Sequence, residues 1–245
     1  MTYAIQWVRS LLFLVAMYGG MALVGILYAP WAIVSRRGAL AACRHWCKLV
    51  CWLAGWMVGL KTEIRGTPPT DEVMVASKHQ SFLDIIMIFA HVPAGRFIMK
   101  RELLWMPVLG QYAVRIGCVP VNRGKRGAAI QKMLSDVESG KSFPGQLIIY
   151  PQGTRVAPHV KVPYKVGAAL LYRELGQPCV PAATNVGLFW PRKGIYRKPG
   201  RAIVEFLPRI EAGLPRDQFL PQLEAVVEEA SDRLMAEAGS PKPAE

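Results

Sequence analysis

The sequence predicts an α/β domain behind an N-terminal membrane-associated helical element, and three observations lead there. An uncharged run of about 26 residues extends from Ser10 to Ser35, long enough at about 1.5 Å per residue to cross a bilayer. From Lys61 onward, short β-rich runs alternate with helical runs, the pattern of a sheet flanked by helices. The chain is also 52% hydrophobic and only 19% charged, richer in apolar residues than a soluble domain needs. Its 245 residues leave room for one such domain and a small additional element, not for two full domains.

Residues 1–60 form the membrane-binding part. Gly19, Gly20 and Pro30 suit a membrane helix, and Tyr18, Tyr28 and Trp31 suit its interfaces. The run is too long, and Arg36, Arg37 and Arg44 come too soon after it, for a cleaved signal peptide. A second stretch, Ala39 to Leu60, sets Arg44, His45 and Lys48 apart from Trp46, Leu49, Trp52, Leu53 and Trp56, so it reads as amphipathic. The two make either a hairpin in one leaflet or one crossing followed by an interfacial helix. Their basic cluster puts the α/β domain on the cytoplasmic face, here of a cell inner membrane.

Residues 61–238 form the α/β domain. Strands are expected near Thr62–Arg65, Val73–Ser77, Arg96–Met99, Cys118–Val121, Gln146–Tyr150, Cys179–Ala183 and Ala202–Phe206. Helices are expected over Leu83–Ala90, Leu103–Val114, Gly127–Ser139, Lys165–Leu175 and Pro215–Ala238. The proline-containing end, 239–245, reads as a flexible tail.

Thirty Lys and Arg against 17 Asp and Glu give a net charge of +13, which favours an anionic partner. Strong apolar segments accompany the basic excess, and base-stacking or groove-reading motifs do not, so membrane lipids rather than nucleic acid are the expected partner. Five cysteines are not a disulfide framework and point to a reducing compartment. Cys43, Cys47 and Cys51 repeat every fourth residue near His45. Small side chains packing a helix explain them better than a metal site, whose ligands usually come from separate elements.

The chemistry-bearing residues begin with Ser77-Lys78-His79-Gln80-Ser81-Phe82-Leu83-Asp84, between an apolar strand and an apolar helix. A carboxylate in the first helical turn can bond one imidazole nitrogen of His79 and leave the other free to accept a proton. A serine hydrolase reading fails for want of a G-x-S-x-G elbow. Val121-Asn122-Arg123-Gly124-Lys125-Arg126 falls between a strand and a helical run, where cations and free N–H groups can converge on a phosphate; a solvated basic turn is the plainer alternative. Tyr150-Pro151-Gln152-Gly153-Thr154-Arg155 ends an apolar strand in a glycine turn that can present Arg155 to the same anion.

These blocks occur in a telling order. His79 and Asp84 are followed by Lys100-Arg101-Glu102-Leu103 with Pro107 and Gly110, then Gly117 to Asn122-Arg123, then Pro151 to Arg155, and finally Val180-Pro181. In this the chain resembles the bacterial 1-acylglycerol-3-phosphate acyltransferases of the glycerol-phosphate acyltransferase superfamily, over residues 75–185.

The resemblance implies a central mixed sheet flanked by helices. It implies His79 as general base and Asp84 as its orienter, and Lys100, Arg123, Gln152, Gly153, Thr154 and Arg155 around a lysophospholipid acceptor. Leu103, Leu104, Trp105 and Pro181 would line the acyl pocket. The donor would be an acyl thioester, on coenzyme A or acyl carrier protein, with no metal and no other cofactor. At Gln152 the commoner family residue is glutamate, so a charged role there is lost. Another lyso-lipid, such as a lyso-ornithine lipid, is the alternative acceptor, and a non-catalytic membrane adaptor the alternative from another class.

Overall fold

A computed structural model describes residues 2–121 and 144–240. The N-terminal part is a pair of helices, α1 (Tyr3–Val34) and α2 (Arg36–Val58). Ser35 is extended, which breaks the helix, and its side chain accepts the Arg37 N–H to start the next one. Gly59, at φ +71°, ends α2 in the left-handed conformation that glycine adopts most readily.

The two helices run antiparallel. The Trp46 indole donates to the Met17 carbonyl at 3.0 Å, Leu49 packs over Gly20, and Arg9 donates to the Met57 carbonyl near the far end. The helix α1 is long and apolar enough to cross a membrane, and Leu12, Val15, Leu23, Ile26 and Leu27 along it are exposed. On α2 the exposed Trp52 and Trp56 stack with ring centroids 5.8 Å apart.

The remaining elements are β1 (Leu60–Arg65), β2 (Met74–Ser77), α3 (Leu83–His91), β3 (Arg96–Lys100), α4 (Leu109–Ile116), β4 (Val119–Val121), β5 (Leu147–Ile149), α5 (Gly167–Leu175), β6 (Cys179–Thr184), β7 (Gly200–Phe206) and α6 (Arg216–Glu237). The strands form one sheet in the order β1-β7-β6-β2-β5-β3-β4. Among the described strands only the β6–β7 pairing is antiparallel, so the sheet is mixed, as expected. Five parallel strands point their carboxyl ends to one edge, where ligands of open α/β sheets bind.

All seven expected strands form. The expected helix over Leu103–Val114 does not run through: a 3-10 turn at Arg101–Trp105 is followed by a break at Met106–Val108 before α4 starts. Pro107 lies in that break, and Val108 has φ +65°, a conformation a β-branched residue rarely adopts. The expected helix Gly127–Ser139 lies outside the described residues.

The core lies on both faces of the sheet. On one face Val75, Leu83, Ile86 and Ile148 pack with Phe13, Met17, Cys47 and Val50 of the hairpin. On the other, Met74, Ala76 and Leu147 pack with Tyr172 of α5 and Phe219 and Leu223 of α6. Two polar residues of α1 fix the hairpin to the domain: Gln6 donates to the carbonyls of Val58 and Arg197, and the Ser10 hydroxyl accepts the Arg197 N–H at 2.9 Å.

Candidate active site

At the carboxyl end of β2, a short segment leads into α3 and carries His79. Asp84 sits in the first turn of α3, fully buried. One carboxylate oxygen is 3.0 Å from His79 Nδ1; the other accepts the N–H groups of Gln80 and Ser81, both at 2.8 Å. A carboxylate in a helix's first turn is favoured by the dipole, and here it closes the loop upon itself. Nδ1 facing a carboxylate carries the proton, so Nε2 keeps its lone pair. The imidazole stacks on Tyr150 at 3.9 Å, and burial, helped by the Asp84 charge, pushes the Tyr150 phenol well above its ordinary range.

The segment after β5 grips the same residue. The His79 carbonyl accepts the Val156 N–H at 2.7 Å, and Gln152 Oε1 lies 3.5 Å from the His79 N–H. Gln152 is fully buried, is not part of the cavity wall, and its amide nitrogen has no partner among the described residues. The substrate-binding place expected for Gln152 is thus not where the side chain sits: it faces the backbone of His79. Gly153 turns the chain at φ +69° and delivers Thr154 and Arg155 to the cavity. The side chain of Lys165 lies over that glycine, 3.3 Å from where a Cβ would be.

His79 opens onto a cavity of about 500 Å³. Its apolar walls come from α1 (Met21, Val24), α2 (Cys43, Trp46), α3 (Ile86, Phe89) and α4 (Leu109, Tyr112), so the hairpin and the domain enclose it together. Lys100, Arg155, Lys165 and Arg192 supply its cations, and none of the four has an ion-pair partner among the described residues. Arg155 and Arg192 each donate to the other's backbone carbonyl, joining two loops at the rim.

Of the expected acyl-pocket residues only Leu103 lines the cavity. Trp105 is 86% exposed and Leu104 lies off the wall, because the 3-10 turn rotates them away from it. Leu104 has another use: its carbonyl would lie 2.1 Å from a Cβ on residue 110, so the close approach of the turn to α4 requires Gly110. Pro181 is buried inside the sheet, opposite Ala76 of β2. Arg123 lies outside the described residues. No sequence motif marks the hairpin wall or the cations Lys165 and Arg192. Cys43 and Cys47 pack in the core as expected and line the cavity as well. Cys118 lines it too, its thiol pushed up to about 11 chiefly by burial.

A buried carboxylate orienting a histidine, and a largely apolar cavity with cations in its wall, suit transfer of a fatty acyl group to a phosphorylated alcohol. Comparison with known proteins agrees. The chain is 31% identical to the 1-acyl-sn-glycerol-3-phosphate acyltransferase of Limnanthes alba, over 77% of this chain and 66% of that protein. It is 25% identical to the enzyme of the same name from Pseudomonas aeruginosa, over 79% and 76%. The crystal structure of the 1-acyl-sn-glycerophosphate acyltransferase of Thermotoga maritima has the same fold, with a TM-score of 0.77 at 18% identity, covering 94% of this chain and 98% of that one. The Acyltransferase family model matches residues 61–185, slightly more than half of the chain and the part that holds His79, Asp84 and Arg155. The chain belongs to the Acyltransferase family.

Proposed function

We propose that this protein transfers an acyl group from a thioester to the free hydroxyl of 1-acylglycerol-3-phosphate, giving phosphatidic acid. The observation that carries the reading is the placement of the Asp84-oriented His79 on the wall of a largely apolar cavity with cations in its wall. An alcohol is barely ionised near neutral pH, whereas a thioester is already a good acyl donor, so the assistance needed is proton removal. Nε2 of His79 takes the hydroxyl proton as the oxygen attacks the thioester carbonyl. The tetrahedral intermediate then expels the thiolate, which takes that proton from the imidazolium. Asp84 holds the ring in the reactive tautomer and stabilises its charged form.

The acceptor phosphate is assigned to Lys100, Arg155 and Lys165, with Arg123 by family resemblance. The acyl chain is assigned to the apolar walls. Coenzyme A and acyl carrier protein are both anionic and both suit the basic rim, and the chemistry calls for no further cofactor. The exposed apolar side of α1, with Trp52 and Trp56, rests in the lipid of an inner membrane at its cytoplasmic face, where such donors are found.

The test is an acyl-transfer assay with detergent-purified protein, lysophosphatidic acid and both donor types, wild type beside His79→Ala. Phosphatidic acid from the wild type alone is expected. No product from the wild type, or equal product from both, would sink the reading.

A further inference from the structure

Strand β2 alternates its side chains between the two faces of the sheet. Met74 and Ala76 pack with α6, and Val75 packs on the side of the hairpin. The ladder continues past the strand, for the Lys78 N–H donates to the Ala182 carbonyl at 3.1 Å. The alternation therefore continues as well: Lys78 turns toward α6, His79 toward the cavity, and Gln80 toward α6 again.

Both flanking residues are held there. Lys78 is 1% exposed, and its ammonium is paired with a carboxylate oxygen of Glu228, on α6. The other Glu228 oxygen accepts the Tyr164 hydroxyl at 3.1 Å. Gln80 is equally buried; its side-chain oxygen accepts the Gly187 N–H at 2.9 Å, and its amide nitrogen is 3.6 Å from Met235 Sδ, again on α6. Packing alone would be served better by an apolar residue at position 78, because the desolvation of a buried ion pair often exceeds its attraction. The use best attested for such pairs is fixing register, and the residue next in register here is His79.

We propose that Lys78 and Glu228 are a positioning pair, through which the C-terminal helix locks the segment bearing His79 so that the imidazole meets the acceptor hydroxyl in the reactive geometry. The proposal rests on the acyl-transfer reading. It assigns α6, which supplies none of the described residues of the cavity wall, a part in the rate of the reaction and none in substrate affinity.

The experiment compares wild type, Lys78→Met/Glu228→Gln and Glu228→Gln. The double variant removes both charges and keeps an acceptor for Tyr164. It is expected to stay folded with Tm within a few degrees of wild type, while kcat falls about tenfold and KM for lysophosphatidic acid changes less than about twofold. Hydrogen exchange should quicken in residues 78–84 only. In Glu228→Gln alone the single amide oxygen can serve Lys78 or Tyr164 but not both, and the ammonium stays buried without its counter-charge, so Tm should fall further than in the double variant and kcat by at least about tenfold. An unchanged kcat in the double variant overturns the proposal, as does a loss matched by faster exchange throughout the domain. Should the double variant not fold, Glu228→Asp decides: it keeps both charges but shortens the bridge, and kcat must fall by about threefold or more. If the wild type transfers no acyl group, the functional reading falls, and the exchange result alone decides whether α6 anchors this segment.

Discussion

Asp84 divides its two carboxylate oxygens between the imidazole of His79 and the backbone that carries that imidazole. One oxygen lies 3.0 Å from Nδ1, and the other accepts the amide hydrogens of Gln80 and Ser81. An amide cannot replace it, because asparagine would turn an N–H either toward the ring or toward those two donors. Asp84→Asn is expected to lower kcat about 100-fold or more, and His79→Ala by about 10² to 10⁴. Steady-state rates on folded variants check this; an Asp84→Asn enzyme within about threefold of wild type would remove the orienting role.

Lys165 belongs to no motif in the sequence, yet its ammonium lies over Gly153 at the cavity wall. Lys165→Met is expected to raise KM for the phosphorylated acceptor about tenfold with little change in kcat, and the difference from wild type should shrink as salt increases. A neutral monoacylglycerol acceptor serves as control. If KM for the neutral acceptor rises as much, Lys165 does not read the phosphate.

Gly153 sits at φ +69°, where a Cβ would also press on Lys165 at 3.3 Å. Gly153→Ala should cost about 1 kcal/mol of stability through the backbone alone and displace Lys165, so KM for the acceptor should rise with it. Denaturant unfolding and acceptor titration measure the two effects separately. A variant as stable as wild type with the same KM contradicts both.

Burial pushes the Cys118 thiol up from about 9 to about 11. The shift is upward, so the folded protein holds the proton where an exposed thiol would lose it; at pH 8 only about one molecule in a thousand carries the Cys118 thiolate. Alkylation of Cys118 in the native protein should therefore be slow at pH 8, quicken as the pH approaches 11, and become fast at any of these values once the chain is unfolded. Mass spectrometry of timed iodoacetamide reactions gives the rates, and fast native labelling at pH 8 would show an exposed or activated thiol.

Trp52 and Trp56 are stacked and exposed on α2, away from the core. The change Trp52→Ser/Trp56→Ser is expected to weaken binding to phospholipid vesicles at least about tenfold while leaving kcat in detergent unchanged. Vesicle sedimentation against the detergent assay decides; undiminished vesicle binding would place the membrane contact elsewhere.

The sheet is legible in the sequence because its inner strands are buried on both faces and stand out as short apolar runs such as Met74–Ser77 and Leu147–Ile149. The His79–Asp84 relation is legible too, being local: five residues of separation at a strand-to-helix turn fix it. What the sequence hides is tertiary. The inward face of α1 cannot be told from its exposed face, since both are apolar, so Met21 and Val24 read as membrane contacts rather than cavity wall. Arg192 reaches Arg155 across 37 positions, which no local pattern records. Trp105 reads as a pocket residue by family resemblance, but the break at Pro107 and the unusual backbone of Val108 interrupt the helix that would have carried it there. Gln152 reads by family position as facing substrate, while the fold turns it to the backbone of His79.

The joint ownership of the cavity by hairpin and domain bears on how this protein can be handled. Deleting residues 1–58 would look like the removal of an anchor, yet it would take away Met21, Val24, Cys43 and Trp46 and leave the chamber without one wall. It would also uncover Phe82 and Trp190, against which Trp46 and Phe13 now rest. A shortened chain is thus no water-soluble edition of the enzyme but an open half of it, with the surface meant for a fatty chain turned outward to solvent. Solubility has to be sought by changing the outer side of α1 while its inner side is kept.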